Sequence, residues 1–99
     1  MKVKVQSIHF DADRKLISFV EEKIEKLRHF YDSIIDSEVF LRLDKNSSHE
    51  NKITEIKINT PGKTLFAKEQ CKTFEEATDT AVEALRKQIT KYKEKQRGM

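Results

Sequence analysis

The sequence has little of the chemistry on which many enzymes and secreted proteins depend. Its 99 residues include one cysteine, one proline, two glycines and no tryptophan. The single cysteine, Cys71, excludes an internal disulfide and a metal cage of several thiolates. The glycines, Gly62 and Gly98, are too few and too far apart for a phosphate-cradling loop or a dinucleotide fingerprint.

Long apolar runs and catalytic motifs are also missing. No apolar run approaches the roughly 18 residues that a membrane span needs, and the N-terminus alternates lysine with valine where a signal peptide has an apolar core. The histidines His9, His29 and His49 are dispersed and form no zinc or triad motif. We therefore expect a cytoplasmic protein that is not an enzyme, with no cofactor, metal, small-molecule substrate or membrane partner.

The chain is short and highly charged. Its length suits one domain, 1–99, and its 37% charged and 36% apolar residues predict a thin core under an ionic surface. The segment 86–99 holds six bases and one acid, a net charge of +5. Because the whole chain has a net charge of +3, the first 85 residues have a net charge of −2. Positive charge is thus concentrated at one end.

Hydrophobic periodicity predicts six elements. Period-two alternation favours strands around 3–5, 39–43, 54–58 and 65–67, with a Pro61-Gly62 turn before the last. Three-to-four spacing predicts one helix from Lys15 to about Phe30, capped by Asp11 or Asp13. Thr73 can cap a second, long helix, whose predicted buried stripe is Phe74, Ala77, Ala81, Leu85, Ile89 and Tyr92.

The element order defines the fold class. It is α+β, β-α-β-β-β-α, and the crossover helix should make the first two strands parallel while the other pairings are antiparallel. One sheet face carries Lys4, Glu55 and Lys57 among other polar residues, so it is too polar to bury. We therefore predict a four-stranded mixed sheet with both helices on one face.

The first helix separates its charges by flank. At about 100° per residue, Lys15, Lys23 and Lys26 interleave with Phe19 and Phe30 on one side of the buried stripe. The other side carries glutamates, at 21, 22 and 25. The two phenylalanines either widen the edge of the core, which we favour, or stack on nucleic acid bases.

The last helix separates its charges along its length. Acids fill its first half, where they complement the helix dipole, and bases occupy 86–97. Dipole effects fade within about one turn of a helix end, whereas these bases cover about three turns. A polyanion partner, bound through its phosphates, therefore explains the bases better than a merely solvated helix end does.

Several stretches resemble the ribosome hibernation promoting factors, also described as ribosome-associated translation inhibitors and sigma-factor modulation proteins. They are FVEEKIEKL at 19–27, YD at 31–32, DTAVEAL at 79–85 and QITKYKEK at 88–95, and the resemblance covers nearly the whole chain. It implies the same fold, which is similar to double-stranded RNA-binding domains. It also implies binding to the small ribosomal subunit at the decoding centre, over messenger RNA and the A- and P-site tRNAs, and inhibition of translation in stationary phase or stress.

The resemblance also implies which residues contact ribosomal RNA. Lys23 and Lys26 match basic positions of the family's first helix. The matching positions of the last helix are Lys87, Lys91, Lys93 and Lys95. We add Arg86 to the predicted RNA contacts because of its charge, without support from the resemblance. The chain is similar to the family's short forms, so we expect a monomer off the ribosome and a separate factor for any ribosome pairing. The alternative is a general regulatory module that binds structured RNA.

Overall fold

Two helices and four strands follow one another in the predicted order, which confirms the α+β fold class. The computed structural model describes residues 2–46 and 49–96, and its described side chains end at Glu94. The elements are β1 (Lys2–Ile8), α1 (Arg14–Phe30), β2 (Asp36–Leu43), β3 (Lys52–Thr60), β4 (Lys63–Cys71) and α2 (Phe74–Gln96).

The strands form one mixed sheet in the order β1-β2-β3-β4. β1 and β2 are parallel, and the pairs β2 with β3 and β3 with β4 are antiparallel, as predicted. The register aligns Val5 with Val39, Val39 with Ile56, and Ile56 with Ala67. An apolar row therefore crosses all four strands and defines the face on which the helices pack.

Both helices cover that face and share one core with it. α1 buries Val20, Ile24 and Leu27 against the inward residues of the sheet. In α2, Ala77 and Ala81 are fully buried, and their small side chains let the helix lie close to the strands. The Thr54 and Thr78 hydroxyls, both buried, lie 3.3 Å apart and link β3 to α2.

Side-chain caps set where the helices begin. The Asp13 carboxylate accepts a hydrogen bond from the Leu16 amide at 2.8 Å, so α1 begins at Arg14, one residue before its predicted start. The Thr73 hydroxyl accepts from the Glu76 amide at 3.0 Å and caps α2, as predicted.

The other face of the sheet is open, as predicted, and it carries apolar side chains among the charged ones. Arg42 and Glu55 form an ion pair of 3.1 Å there. The alternation of the strands also places Phe40, Ile53 and Phe66 on this face, and Phe66 is 50% exposed. Phe66 therefore offers an aromatic side chain on the side of the molecule opposite the helices.

Candidate nucleic-acid interface

A groove between α1 and α2 joins the two basic patches that the sequence left separate. Its volume is about 660 Å³, and its lining includes Lys23 and Lys26 from α1 and Arg86 and Lys87 from α2. We call these four residues with the space between them the basic groove. Three acids, Glu69, Asp79 and Glu83, also line it, together with several apolar and polar residues.

Lys23 and Lys26 differ in what surrounds their charges. The Lys23 ammonium lies 2.9 Å from the Asp79 carboxylate and 5.3 Å from the centre of the Phe19 ring. Lys23 therefore braces α1 against α2, and its charge is balanced within the fold. Lys26 is exposed, and among the described residues no ion pair involves it. Of the two, Lys26 is the better placed to bind a phosphate.

Two of the predicted bases of α2 lie over the aromatic ring of Phe30, the last residue of α1. The Arg86 guanidinium carbon lies 4.9 Å from its ring centre and the Lys93 ammonium 5.0 Å from it. The ring also packs against the core cluster, so the favoured core-edge interpretation of this phenylalanine is confirmed. Such cation–π contacts contribute about 0.5–1 kcal/mol each at exposed sites, enough to bias where the two cations point.

A second groove continues from the basic groove along α2. Its volume is about 600 Å³, and we call it the Phe30 groove. It is lined by Phe30, Glu83, Arg86, Lys87, Thr90, Lys91 and Glu94. Because Arg86 and Lys87 line both grooves, the basic positions of the two helices form one continuous surface.

Side chains from α2 anchor its basic half to the sheet. The Gln88 amide donates a hydrogen bond of 2.9 Å to the Phe66 carbonyl on the edge strand β4. The Tyr92 hydroxyl donates one of 3.1 Å to the Pro61 carbonyl, and its ring meets Tyr31 edge-on at 6.3 Å. These contacts fix the position of this half of α2, from which the basic side chains project, relative to the core.

Two further bases, Lys63 and Lys95, bear on the predicted set of RNA-binding residues. The structure places Lys63, which was not in that set, beside one of its members. The Lys63 ammonium lies 5.3 Å from the centre of the Tyr92 ring, close to Lys91, with which it lines a small cavity. No local pattern could have indicated Lys63, because β4 meets this part of α2 only in the folded chain. The side chain of Lys95 lies outside the described residues.

The acidic flank of α1 is kept apart from both grooves. Glu21, Glu22 and Glu25 line a separate shallow depression that also includes Val3 of β1. This agrees with the segregation of charge predicted for α1. The acids that do line the grooves are Glu69, Asp79, Glu83 and Glu94, which come from β4 and α2. A polyanion that approaches the grooves therefore meets these carboxylates among the lysines and arginines, with the glutamates of α1 on the far flank.

Two further properties of the described residues are plain. None of the helices in 2–46 and 49–96 is long and apolar enough to cross a membrane. In the same ranges, histidine, cysteine and acidic side chains form no group of three or more that could hold a metal ion.

Comparison with known proteins establishes the class of protein that this fold and surface represent. The family model described as sigma 54 modulation protein / S30EA ribosomal protein matches residues 3–97. The chain therefore belongs to this family of ribosome-associated factors, which confirms the resemblance drawn from the sequence.

Individual relatives agree with this assignment. A ribosome hibernation promoting factor of Pseudomonas putida is 25% identical over 99 residues, covering 100% of this chain and 93% of its own. A ribosome hibernation promotion factor of Deinococcus radiodurans is 32% identical over 77 residues, covering 76% of this chain. The match spans only 40% of the Deinococcus protein's length.

A solved structure shares the fold. The ribosomal subunit interface protein of Coxiella burnetii superposes with a TM-score of 0.84 at 22% identity, covering 94% of this chain and 98% of that one. At this identity the likeness supports the β-α-β-β-β-α architecture alone.

Proposed function

We propose that this protein is a cytoplasmic ribosome hibernation factor, with 1–99 as a single ribosome-binding domain. It binds ribosomal RNA of the small subunit at the decoding centre, where it overlaps messenger RNA and the A- and P-site tRNAs. It thereby inhibits translation in stationary phase or under stress. The observation that carries the proposal is the continuous basic surface between α1 and α2, in a chain that belongs to this family.

The chemistry of that surface suits phosphate binding. Lys26, Arg86, Lys87 and Lys91 are exposed along the two grooves. Cations at such positions neutralise phosphates and release counterions, which makes affinity strong at low salt and steeply salt-dependent. Contacts of this kind position the protein on RNA without reading its sequence. Lys23 contributes as the brace that holds α1 in place.

The proposed mechanism is occupation, with no covalent step. The described residues form a body of 46 × 23 × 18 Å with one core. Because α2 is anchored to the sheet as far as Tyr92, the basic surface is presented as a rigid wedge. A wedge held by phosphate contacts blocks messenger RNA and tRNA for as long as it stays bound, and release requires its displacement.

The test of the proposal is a triple charge reversal at Lys87, Lys91 and Lys93. The wild-type protein should cosediment with purified small subunits and inhibit in vitro translation. The triple lysine-to-glutamate variant should lose both properties together. Circular dichroism would confirm that the variant is folded, and unchanged binding by a folded variant would rule out the proposed surface.

The open sheet face supplies a matched control. Lys2, Lys4 and Lys68 are exposed on that face, so their reversal to glutamate changes the net charge by the same amount on the opposite side. This variant should keep cosedimentation and inhibition within a small factor. An equal loss in both variants would show that total charge, and not the helix surface, controls binding.

A second candidate function is a general regulatory module that binds structured RNA. It is favoured by the chemistry of the surface, since lysine and arginine contacts to phosphate carry no sequence information. Competition separates the two functions. A ribosome-specific factor should keep its small-subunit binding in excess duplex RNA, whereas a general binder should be displaced.

A further inference from the structure

The Phe30 groove combines a rigid aromatic ring with an exposed guanidinium. Phe30 is half-buried and its ring is held by the core, so it needs no ordering when a ligand arrives. The Arg86 guanidinium carbon lies 4.9 Å from the centre of this ring and the Lys93 ammonium 5.0 Å from it, and Arg86 is exposed. Aromatic rings and guanidinium planes are the two surfaces on which unpaired RNA bases stack in proteins.

The acids that line the Phe30 groove indicate what kind of ligand it suits. Glu83 and Glu94 lie among its lining residues, next to Lys87 and Lys91. Carboxylates repel a phosphate, so a groove that served only the RNA backbone would gain nothing from them. They accept hydrogen bonds readily from the exocyclic amino groups of bases. The lining therefore suits a base with its phosphate alongside better than a bare phosphate.

We propose that the Phe30 groove binds one unpaired RNA base that carries an exocyclic amino group. The base stacks against the Phe30 and Arg86 pair, its amino group faces the Glu83 or Glu94 carboxylate, and Lys87 and Lys91 neutralise the flanking phosphates. This inference rests on the proposed RNA-binding function and deepens it. The basic surface then reads an unpaired base in addition to the phosphate backbone.

Other phenylalanines lack this combination. Phe19 also has a cation near its ring, but that cation is Lys23, which is engaged by Asp79. Phe66 is 50% exposed on the open sheet face, and among the described residues no cation lies over its ring. Phe66 therefore serves as the comparison position in the experiments.

The chain contains no tryptophan, so a Phe30→Trp variant carries a single fluorescent reporter in the groove. The probes are poly(A), poly(C), poly(U) and inorganic polyphosphate, each at the same concentration of phosphate. Poly(A) and poly(C) should quench the fluorescence saturably and at least twofold. Poly(U) should quench less, and polyphosphate, which has charge but no bases, should leave the fluorescence unchanged.

A Phe66→Trp variant is the control for quenching by RNA that is merely nearby. Its fluorescence should change little with any of the four probes. Equal responses to polyphosphate and poly(A) at position 30, or equal responses to poly(A) at positions 30 and 66, would overturn the proposed base site.

Affinity measurements on the chain without tryptophan give a second readout. Phe30→Leu keeps an apolar group at the edge of the core but removes the stacking surface, and Phe30→Tyr keeps the ring. Binding of a short oligo(A) should weaken about 5- to 100-fold in the leucine variant and stay near wild type in the tyrosine variant. Binding of polyphosphate should be the same for all three proteins. A leucine variant that binds oligo(A) as tightly as wild type does would contradict the inference.

The outcomes also separate this inference from the proposed function. If the triple lysine variant loses small-subunit binding while Phe30→Leu changes no RNA affinity, the base site fails and the ribosome function stands. If the wild-type protein does not cosediment with small subunits while poly(A) quenches Phe30→Trp, the ribosome function fails and the base site stands.

Discussion

The two halves of α2 carry opposite charge and use it differently. In the first half, 74–85, three of the four acids act within the molecule: Glu75 and Glu76 lie in the first turn, and Asp79 pairs with Lys23 of α1. The fourth, Glu83, lines both grooves. In the second half, 86–96, exposed bases line the two grooves. Both halves contribute to the same buried stripe. The comparison shows that the partner of a charge, and not its sign, separates a structural residue from a candidate binding residue.

The largest expected effect is on the buried stripe where the two halves meet. Leu85 is fully buried. Leu85→Ala should lower the free energy of unfolding by about 2–5 kcal/mol, through lost apolar burial and the cavity left behind. Lys87→Ala, two residues further on and exposed, should change it by less than about 0.5 kcal/mol. Urea unfolding of both variants measures this, and similar losses would show that the basic half also stabilises the fold through its charges.

The next effect compares threonines in the two halves. Thr73→Ala removes the cap of α2 and should cost about 1 kcal/mol of unfolding free energy. Thr90→Ala is the matched control, because the Thr90 hydroxyl only donates to the carbonyl of Arg86, one turn earlier on an exposed surface. Its effect should stay below about 0.5 kcal/mol. Thermal unfolding distinguishes the two, and equal effects would mean that the cap adds nothing.

A smaller effect concerns the brace between the helices. The side chains of Lys23 and Asp79 are 29% and 53% exposed, so solvent screens the pair. A double-mutant cycle with Lys23→Met and Asp79→Asn should give a coupling of about 0.2–1 kcal/mol. Asp79→Asn should also strengthen RNA binding at low salt, since it removes an acid from the basic groove. Weaker binding in that variant would show that loss of the Lys23–Asp79 ion pair lowers RNA affinity more than removal of the repulsion between Asp79 and phosphate raises it.

The smallest effect is on the thiol of Cys71, which lies against the first half of α2. Desolvation raises the pKa of this thiol, a hydrogen bond with Thr80 lowers it, and the charge of Glu76 raises it further. Glu76→Gln should therefore lower the pKa, increase the thiolate fraction at pH 8 and speed alkylation by iodoacetamide. Glu94→Gln, in the second half, should leave the alkylation rate unchanged. Equal rates for all three proteins would show that Glu76 does not act on Cys71.

Local patterns were sufficient to predict most of the fold. The alternation of Val3 and Val5 and the helical stripe from Phe74 to Ile89 are properties of neighbouring residues, and so is the cap at Thr73. Each was confirmed. The same alternation predicted that one sheet face stays open, and it places Phe40 and Phe66 on that face beside the charged residues.

The candidate interface could be predicted only in part. The flank of α1 that holds Lys23 and Lys26 followed from helical phase, and the basic half of α2 followed from the order of charges along the chain. The pairing of Lys23 with Asp79 and the position of Lys63 over Tyr92 did not, because each contact joins residues from different elements. The rRNA-contact roles of the seven residues, Lys23, Lys26, Arg86, Lys87, Lys91, Lys93 and Lys95, remain predictions.

By itself, the sequence determined which side chains are charged, which are apolar and which face of its own helix or strand each one occupies. These properties depend on residues a few positions apart, so periodicity reveals them. Only the tertiary structure decided that the two basic patches share one surface and that Lys23 forms an ion pair with Asp79 of the other helix. It also decided that Arg86 and Lys93 lie over the ring of Phe30. The physical reason is that these contacts depend on how α1 and α2 pack on the sheet, which brings together side chains that are distant along the chain.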